Sequence, residues 1–295
     1  MVPIATQTQC LHADEWLYGR AGYLYGCLFF QKVLGVEEPS LVSGIASVAR
    51  LMLSRGVAYA RRLNSTGSRS PPPVMWEWCH DRYMGAAHGV MGILFMLLHV
   101  PELLEGESLD LLRQSLQWLA TMRQPSGNWP VVFGEGGADC IHFCHGAPGA
   151  VFLFCKAYEV LREEQWLQLA KEAGEVVWKY GLLKKGPGIC HGIAGNGYGF
   201  LCLYRVTGHP LWLGRAYHFA LQIATPEVQK DSRTPDNPLS LFEGLAGTLC
   251  FLMDLRLKPK EAAFPLFELE KLWDSKRKRS AEPAADRGGG FEVPD

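Results

Sequence analysis

Two dipeptides in this chain pair a thiol with an imidazole directly ahead of a glycine motif. Cys144-His145 precedes Gly146-Ala147-Pro148-Gly149, and Cys190-His191 precedes Gly192-Ile193-Ala194-Gly195. His88 stands at the same place ahead of Gly89-Val90-Met91-Gly92. Thiolate sulfur and imidazole nitrogen together suit zinc. Spacing alone argues weakly for a metal, because 46 residues separate the two cysteines and no C-x-x-C occurs. The plain alternative is a buried cysteine beside a structural histidine. Cys79-His80 is a third such dipeptide, but no glycine pair follows it, and it reads as structural.

What turns the balance toward a site is repetition. The pattern G-x-x-G followed by an apolar run occurs five times, with first glycines at Gly19, Gly89, Gly146, Gly192 and Gly244, spaced 70, 57, 46 and 52 residues apart. Each pair opens a helix-length stretch rich in Leu, Phe, Tyr and Ala, such as AVFLFCKAYEVL, apolar nearly all round. Such helices are buried on most sides. Between them lie amphipathic stretches, clearest at 109–122 and 166–180, where Leu167, Ala170, Ala173 and Val177 form one stripe. Strand signals are scarce. The repeating unit is a helix pair, one inner and one outer, and the fold class is all-α. Glycine at the inner helix start permits close backbone approach and is expected to leave the first N–H groups for a ligand. Helix pairs of this kind build an open solenoid or a closed toroid. In a toroid the motif loops gather at one end, and equivalent positions from distant repeats form one site.

Bulk properties exclude several classes. The chain has 295 residues, 48% hydrophobic and 20% charged, with a formal net charge of -1. Those values are ordinary for a globular protein and exclude disordered, collagen-like and disulfide-scaffold classes. No basic field exists for nucleic acid or an anionic membrane. The first residues carry neither a secretory signal nor a myristoylation site, so a cytoplasmic location is expected, with a peripheral plasma-membrane or nuclear pool left open. Nine cysteines, odd in number and widely spaced, are then expected to be reduced. The segment at 65–73 reads as a Ser/Pro linker, and 271–295, with its run Lys276-Arg277-Lys278-Arg279, as a disordered solvated tail.

The segments HFCHGAPGA, GICHGIAGNGY, YMGAAHGVMG, YGRAGYLYG and SLFEGLAGT resemble the lanthionine synthetase C-like family, in its eukaryotic branch. That branch is similar to the bacterial lantibiotic cyclases. The resemblance covers residues 15–270, between a stub at 1–14 and the tail. It implies an α/α toroid of seven helix pairs around one zinc ion, held by Cys144, Cys190 and His191, with water or a thiol in the fourth place. Three protein ligands are the number found at catalytic zinc sites. It also implies glutathione as the thiol, conjugated to dehydroamino acids in peptides or to other electrophiles, with His88 of GAAHG as acid/base. Glutathione contacts would fall on Lys185 and on Arg233, Thr234, Pro235 and Asp236. Read alone, those positions are ordinary loop charges; a guanidinium and an ammonium nonetheless suit a ligand with two carboxylates. Glu243 of FEGLAG has no assigned role.

This chain shows five units where the family has seven. A ring short of two pairs is expected to expose apolar flanks, and so to aggregate, find a partner or close into a smaller ring. Two other readings therefore stand beside the zinc-dependent transferase. One is a non-catalytic protein binding glutathione, zinc or a signalling partner; the other is an inactive truncated form.

Overall fold

The computed structural model describes residues 13–35, 38–64, 71–135 and 139–269. The tail expected at 271–295, most of the stub at 1–14 and most of the linker at 65–73 lie outside them. Five inner helices start directly after the first glycine of each motif. They are α1 (Arg20–Leu34), α3 (Val90–Leu97), α5 (Ala147–Leu161), α7 (Ile193–Thr207) and α10 (Leu245–Leu257). Every residue of α3 is buried, as is α7 from Ile193 through Leu203. Outer helices alternate with them: α2 (Pro39–Asn64), α4 (Gly106–Thr121), α6 (Glu164–Tyr180) and α8 (Pro210–Ile223), with a short α9 (Pro226–Asp231). The two amphipathic stretches read from the sequence are α4 and α6. Inner helices pack on one another in chain order, and α6 and α8 pack outside α5 and α7. The architecture is an α/α toroid, and among the described residues only isolated β-bridges occur. Helix α2 alone among the described helices is long and apolar enough to cross a membrane, with mean hydropathy 1.3. Its apolar residues Ile45, Val48, Met52 and Leu53 are buried within the fold, as an outer helix requires.

The glycine pairs work by close approach. The chain before each inner helix doubles back so tightly that a Cβ on the second glycine would meet the carbonyl oxygen six residues earlier. At Gly149 that oxygen belongs to Phe143, 2.7 Å away; at Gly92 and Gly195 the overlap with Ala86 and Ile189 is worse. The doubling also uses the helix N–H groups. Arg20 N–H donates to Ala13 (3.2 Å), Val90 to Tyr83 (3.1 Å), Ile193 to Gly186 (3.2 Å) and Leu245 to Pro238 (2.8 Å). In α5 the first N–H donates to Asn128 Oδ1 (2.7 Å). The expectation that these N–H groups wait for a ligand is therefore corrected: the preceding loop or a side chain satisfies them. Gly195→Ala is expected to cost about 3 kcal/mol, read as a lowered urea midpoint, because backbone cannot move aside as a side chain can. Gly214→Ala in α8, where a Cβ meets nothing within 4 Å, should instead be neutral or stabilising by up to about 1 kcal/mol. Equal effects at both positions would remove the close-approach account.

The centre of the ring is filled by the chain after α10. Phe264 stacks on Phe143 at 4.0 Å, and Phe267 stacks on Phe95 at 4.2 Å while meeting Trp16 edge-on at 5.1 Å. Arg205 of α7 holds this segment through Glu268 and the Ala262 carbonyl. The ring has a weak side, between α1 and α10. A pocket of about 310 Å³ lies there, walled by Phe29, Met253 and Leu266. Along α10, Leu245, Leu249, Met253 and Leu257 form an exposed apolar stripe. The loops ahead of α1 and α10 nevertheless meet through Trp16 and Phe242, edge-to-face at 5.7 Å.

Candidate metal centre

Five motif loops collect at one end of the toroid because their backbones bond in succession. Trp16 N–H donates to Ala87 (3.1 Å), Ala87 to Cys144 (3.3 Å), Cys144 to Cys190 (3.2 Å) and Cys190 to Phe242 (2.8 Å). This chain of bonds carries both cysteines to the same point. Cys144 Sγ, Cys190 Sγ and one ring nitrogen of His191 lie within 4.8 Å of one another, Cys144 buried and the other two half-buried. His145 does not join them. Its ring lies against Tyr83 (5.5 Å) and His88 (6.1 Å), and its Nδ1 is buried without a hydrogen-bond partner. Of the two imidazoles offered by the dipeptides, only His191 enters the group, the one that the family resemblance implies.

The electrostatics match a metal-ligand set. The Cys190 thiol is pulled down to about 5, first by the hydrogen bond from Cys144, with burial opposing and His191 assisting. Cys144 is pushed well up by the same bond and by burial. His191 is raised, first by its hydrogen bond to Cys190. Two sulfurs and an imidazole nitrogen, one edge of the group reachable from solvent, fit zinc by their chemistry. All eight described cysteines are free, and Cys155 and Cys202 are buried among apolar residues between α5 and α7.

Across from this group stands His88, half-buried. Glu15 Oε2 lies 2.8 Å from its Nδ1. The same carboxylate accepts the backbone N–H groups of Leu17 (3.0 Å) and Tyr18. A carboxylate there keeps the proton on Nδ1 and leaves Nε2 as the working atom. Trp78 stacks on the imidazole at 4.1 Å with an interplanar angle of 4°, and Tyr18 lies parallel at 6.4 Å. Glu15, Trp78 and Tyr18 were not legible from motif spacing. One signal was present: Asp14-Glu15 puts two carboxylates just ahead of a buried helix, where burial demands partners. Asp14 finds them in Arg20 and Arg55, each at 2.8 Å.

The cationic residues fall beside the same end. Lys185 is exposed on the loop before α7, and its charge acts on His142, Cys144, His145 and His191. Arg233 N–H donates to the Lys184 carbonyl (2.9 Å), which ties the 184–188 loop to the 233–236 loop. Arg233, Thr234 and Asp236 are exposed, Pro235 half-buried against Gly186. Glu243 accepts from Asn237 Nδ2 (3.3 Å), and its charge favours protonated His191.

His142, buried nearby, is pushed down to about 4 by burial first and then by Lys185. The unfolded chain takes up a proton near pH 6.5, the folded chain only near 4. Stability from this residue is therefore present above about 6.5 and lost as pH falls toward 4. With a chelator present, urea unfolding should show roughly 2 kcal/mol lost between pH 7 and pH 5 from this group. His145, which burial pushes down to about 4 as well, adds a similar loss, so His142→Gln should remove about half of the total slope, and an unchanged slope would refute the assignment.

Comparison with known proteins agrees with this geometry. The profile of the lanthionine synthetase C-like protein family matches residues 3–269. "Glutathione S-transferase LANCL1" of Danio rerio is 41% identical over 258 residues, covering 87% of this chain and 62% of the relative. The chain thus spans less than two thirds of that relative's length. Among solved structures, "Nisin cyclase" superposes with a TM-score of 0.58 at 14% identity, over 92% of this chain and 83% of the other; at that identity the likeness concerns the fold. A family profile matched along nearly the whole chain, on a toroid whose motif loops converge, leads to one conclusion: the chain belongs to the lanthionine synthetase C-like family.

Proposed function

We propose that this protein adds glutathione to dehydroamino acids or related electrophiles at a zinc site formed by Cys144, Cys190 and His191. The observation that carries the reading is the convergence of those three donors within 4.8 Å, near enough to the Glu15–His88 pair for the charge of His88 to act on Cys190. The relative named as a glutathione S-transferase supports the choice of thiol. Zinc bound there would hold an entering thiol as its thiolate at neutral pH. The residues of this chain supply the rest. Lys185, whose charge already reaches the cluster, and Arg233 offer cations to the two carboxylates of glutathione. Glu15 holds His88 by Nδ1–H, so that Nε2 takes up the proton the thiol loses and returns it to the acceptor's α-carbon once the carbon–sulfur bond has formed. Trp78, stacked on the imidazole, fixes its plane and covers one face of it.

The test is turnover of glutathione with a dehydroalanine derivative, followed by loss of free thiol and by mass spectrometry of the adduct. Adduct formation that needs zinc supports the reading. A folded, zinc-loaded protein forming no adduct with either peptide or small acceptors would replace it with the binding-protein alternative.

A further inference from the structure

Four inner helices follow another motif loop, and the residue four places after the first glycine lies in the opening turns of each. It is Ile93 in α3, Ala150 in α5, Asn196 in α7 and Thr248 in α10. All four are buried, the first two apolar and the last two polar. The polar pair reaches back to the loop of the preceding repeat, and does so at equivalent places. Asn196 Nδ2 donates to the Ile141 carbonyl at 3.0 Å, three residues ahead of Cys144. Thr248 Oγ1 donates to the Pro187 carbonyl at 2.9 Å, three residues ahead of Cys190. For the loops that carry Trp16 and Ala87 at the cysteine position, the corresponding helix residues are Ile93 and Ala150, whose side chains have no donor. A polar clamp thus stands over only the two loops that hold a cysteine of the candidate centre.

Satisfying the backbone does not account for both bonds. In two of the loops the equivalent carbonyl already accepts an N–H from its own inner helix: Met84 from Met91 at 3.1 Å, and Pro187 from Ala194 at 3.2 Å. The Thr248 bond is therefore a second one on a carbonyl that has a partner. At Ile141 the corresponding donor would be Pro148, which has no N–H, and Asn196 supplies the bond from the next repeat. Asn196 stands five residues after His191, on the helix that His191's own loop opens into. Its bond ties the Cys144 loop to the segment that carries the other two donors. From the opposite side, the fully buried Asn128 closes the base of the Cys144 loop. It accepts the Ala147 N–H at 2.7 Å and donates to the Cys140 carbonyl at 3.0 Å.

We propose that Asn196 and Thr248 are positioning residues of the metal centre, which hold the Cys144 and Cys190 loops in place, through the carbonyls of Ile141 and Pro187, before metal arrives. The inference rests on the metal reading above. Each residue acts through backbone three residues from its cysteine. A site ordered in advance spares the metal the work of ordering it, so loss of a clamp lowers affinity and leaves the number of ligands unchanged.

Thr248→Val keeps the side chain's shape and removes its hydroxyl. Zinc affinity of the full chain, measured by competition with a chromophoric chelator, should fall about tenfold, and Thr248→Ser should restore it to within about twofold. Asn196→Ala is the second variant, with an expected loss of about 10- to 100-fold. Ser115→Ala is the control. It removes a buried hydroxyl that donates to the Leu111 carbonyl at 2.7 Å within the outer helix α4. It should lower the urea midpoint of the metal-free protein and leave zinc affinity alone. Cobalt(II) supplies a signature: at saturation, Thr248→Val should show the thiolate-to-cobalt absorption of wild type, both sulfurs bound at a raised dissociation constant. Unchanged zinc affinity in either variant would overturn the assignment for that residue. A fall in Ser115→Ala as large as in Thr248→Val, or no rescue by serine, would overturn the proposal, because the bonds would then serve only stability. Loss of the cobalt signature at saturation would do the same, since a ligand would have gone. A folded wild type that binds neither zinc nor cobalt would overturn the metal reading itself, and this inference with it.

Discussion

Cys190→Ala is expected to take bound zinc from one per chain to less than about a tenth, and to lower adduct formation by about a thousandfold or more. The residue has two separable jobs. Its backbone links neighbouring loops, accepting from Cys144 N–H and donating to the Phe242 carbonyl. Alanine keeps both bonds, so the ring should persist and its helical circular dichroism should be unchanged. Its sulfur is the other job: it makes the hydrogen bond that splits the two thiols into one low and one high. Without it, Cys144 becomes an ordinary buried thiol, and two donors hold zinc poorly. Cys250→Ala, which removes a half-buried thiol of α10, should leave metal content intact. Plasma emission spectrometry on the three proteins decides the matter. Equal zinc in wild type and Cys190→Ala would abolish the metal assignment.

The second large effect is on the proton. His88→Asn should lower the addition rate by about 10²- to 10⁴-fold with zinc content unchanged, since proton delivery contributes on that scale. Glu15→Gln should cost less, about 10- to 100-fold. Its amide has one oxygen for the donors that the carboxylate now serves together: His88 Nδ1–H and the N–H groups of Leu17 and Tyr18. Glutamine therefore leaves at least one of these unsatisfied in a buried place. The double variant should be little worse than His88→Asn alone, because Glu15 acts through the imidazole. Additive losses would mean that Glu15 touches the reaction independently. Zinc lost from either variant would move His88 or Glu15 from proton handling to holding the metal loops together.

Much of the fold was legible because its rule is short-range. The first glycine of each motif is the residue directly before its inner helix, at Gly19, Gly89, Gly146, Gly192 and Gly244. The doubling back that demands the second glycine spans six residues. The apolar character of α3, α5 and α7 likewise reads directly as burial. The trio Cys144, Cys190 and His191 was legible as a candidate ligand set through repeat equivalence together with the family resemblance, and the same three lie together in space. The expectation about helix N–H groups went wrong at the same short range. Glycine there lets the loop's own carbonyls, or Asn128 at α5, take the first helix N–H groups.

Other features depend on partners far along the chain. Glu15 reaches His88 across 73 residues. The aromatic turn after α10 fills a ring whose walls come from α3, α5 and α7, and no periodicity announces it. That His191 faces the cysteines while His145 turns to His88 depends on loop rotation, which identical Cys-His-Gly strings cannot encode. The sequence by itself determined the repeat and the helix starts, since each follows from sterics and hydrophobic pattern within a few residues, while the donor set Cys144, Cys190 and His191 came from the family resemblance. Only the tertiary structure decided that those donors meet and which carboxylate holds His88, because those pairings are set by how whole helices pack around the ring.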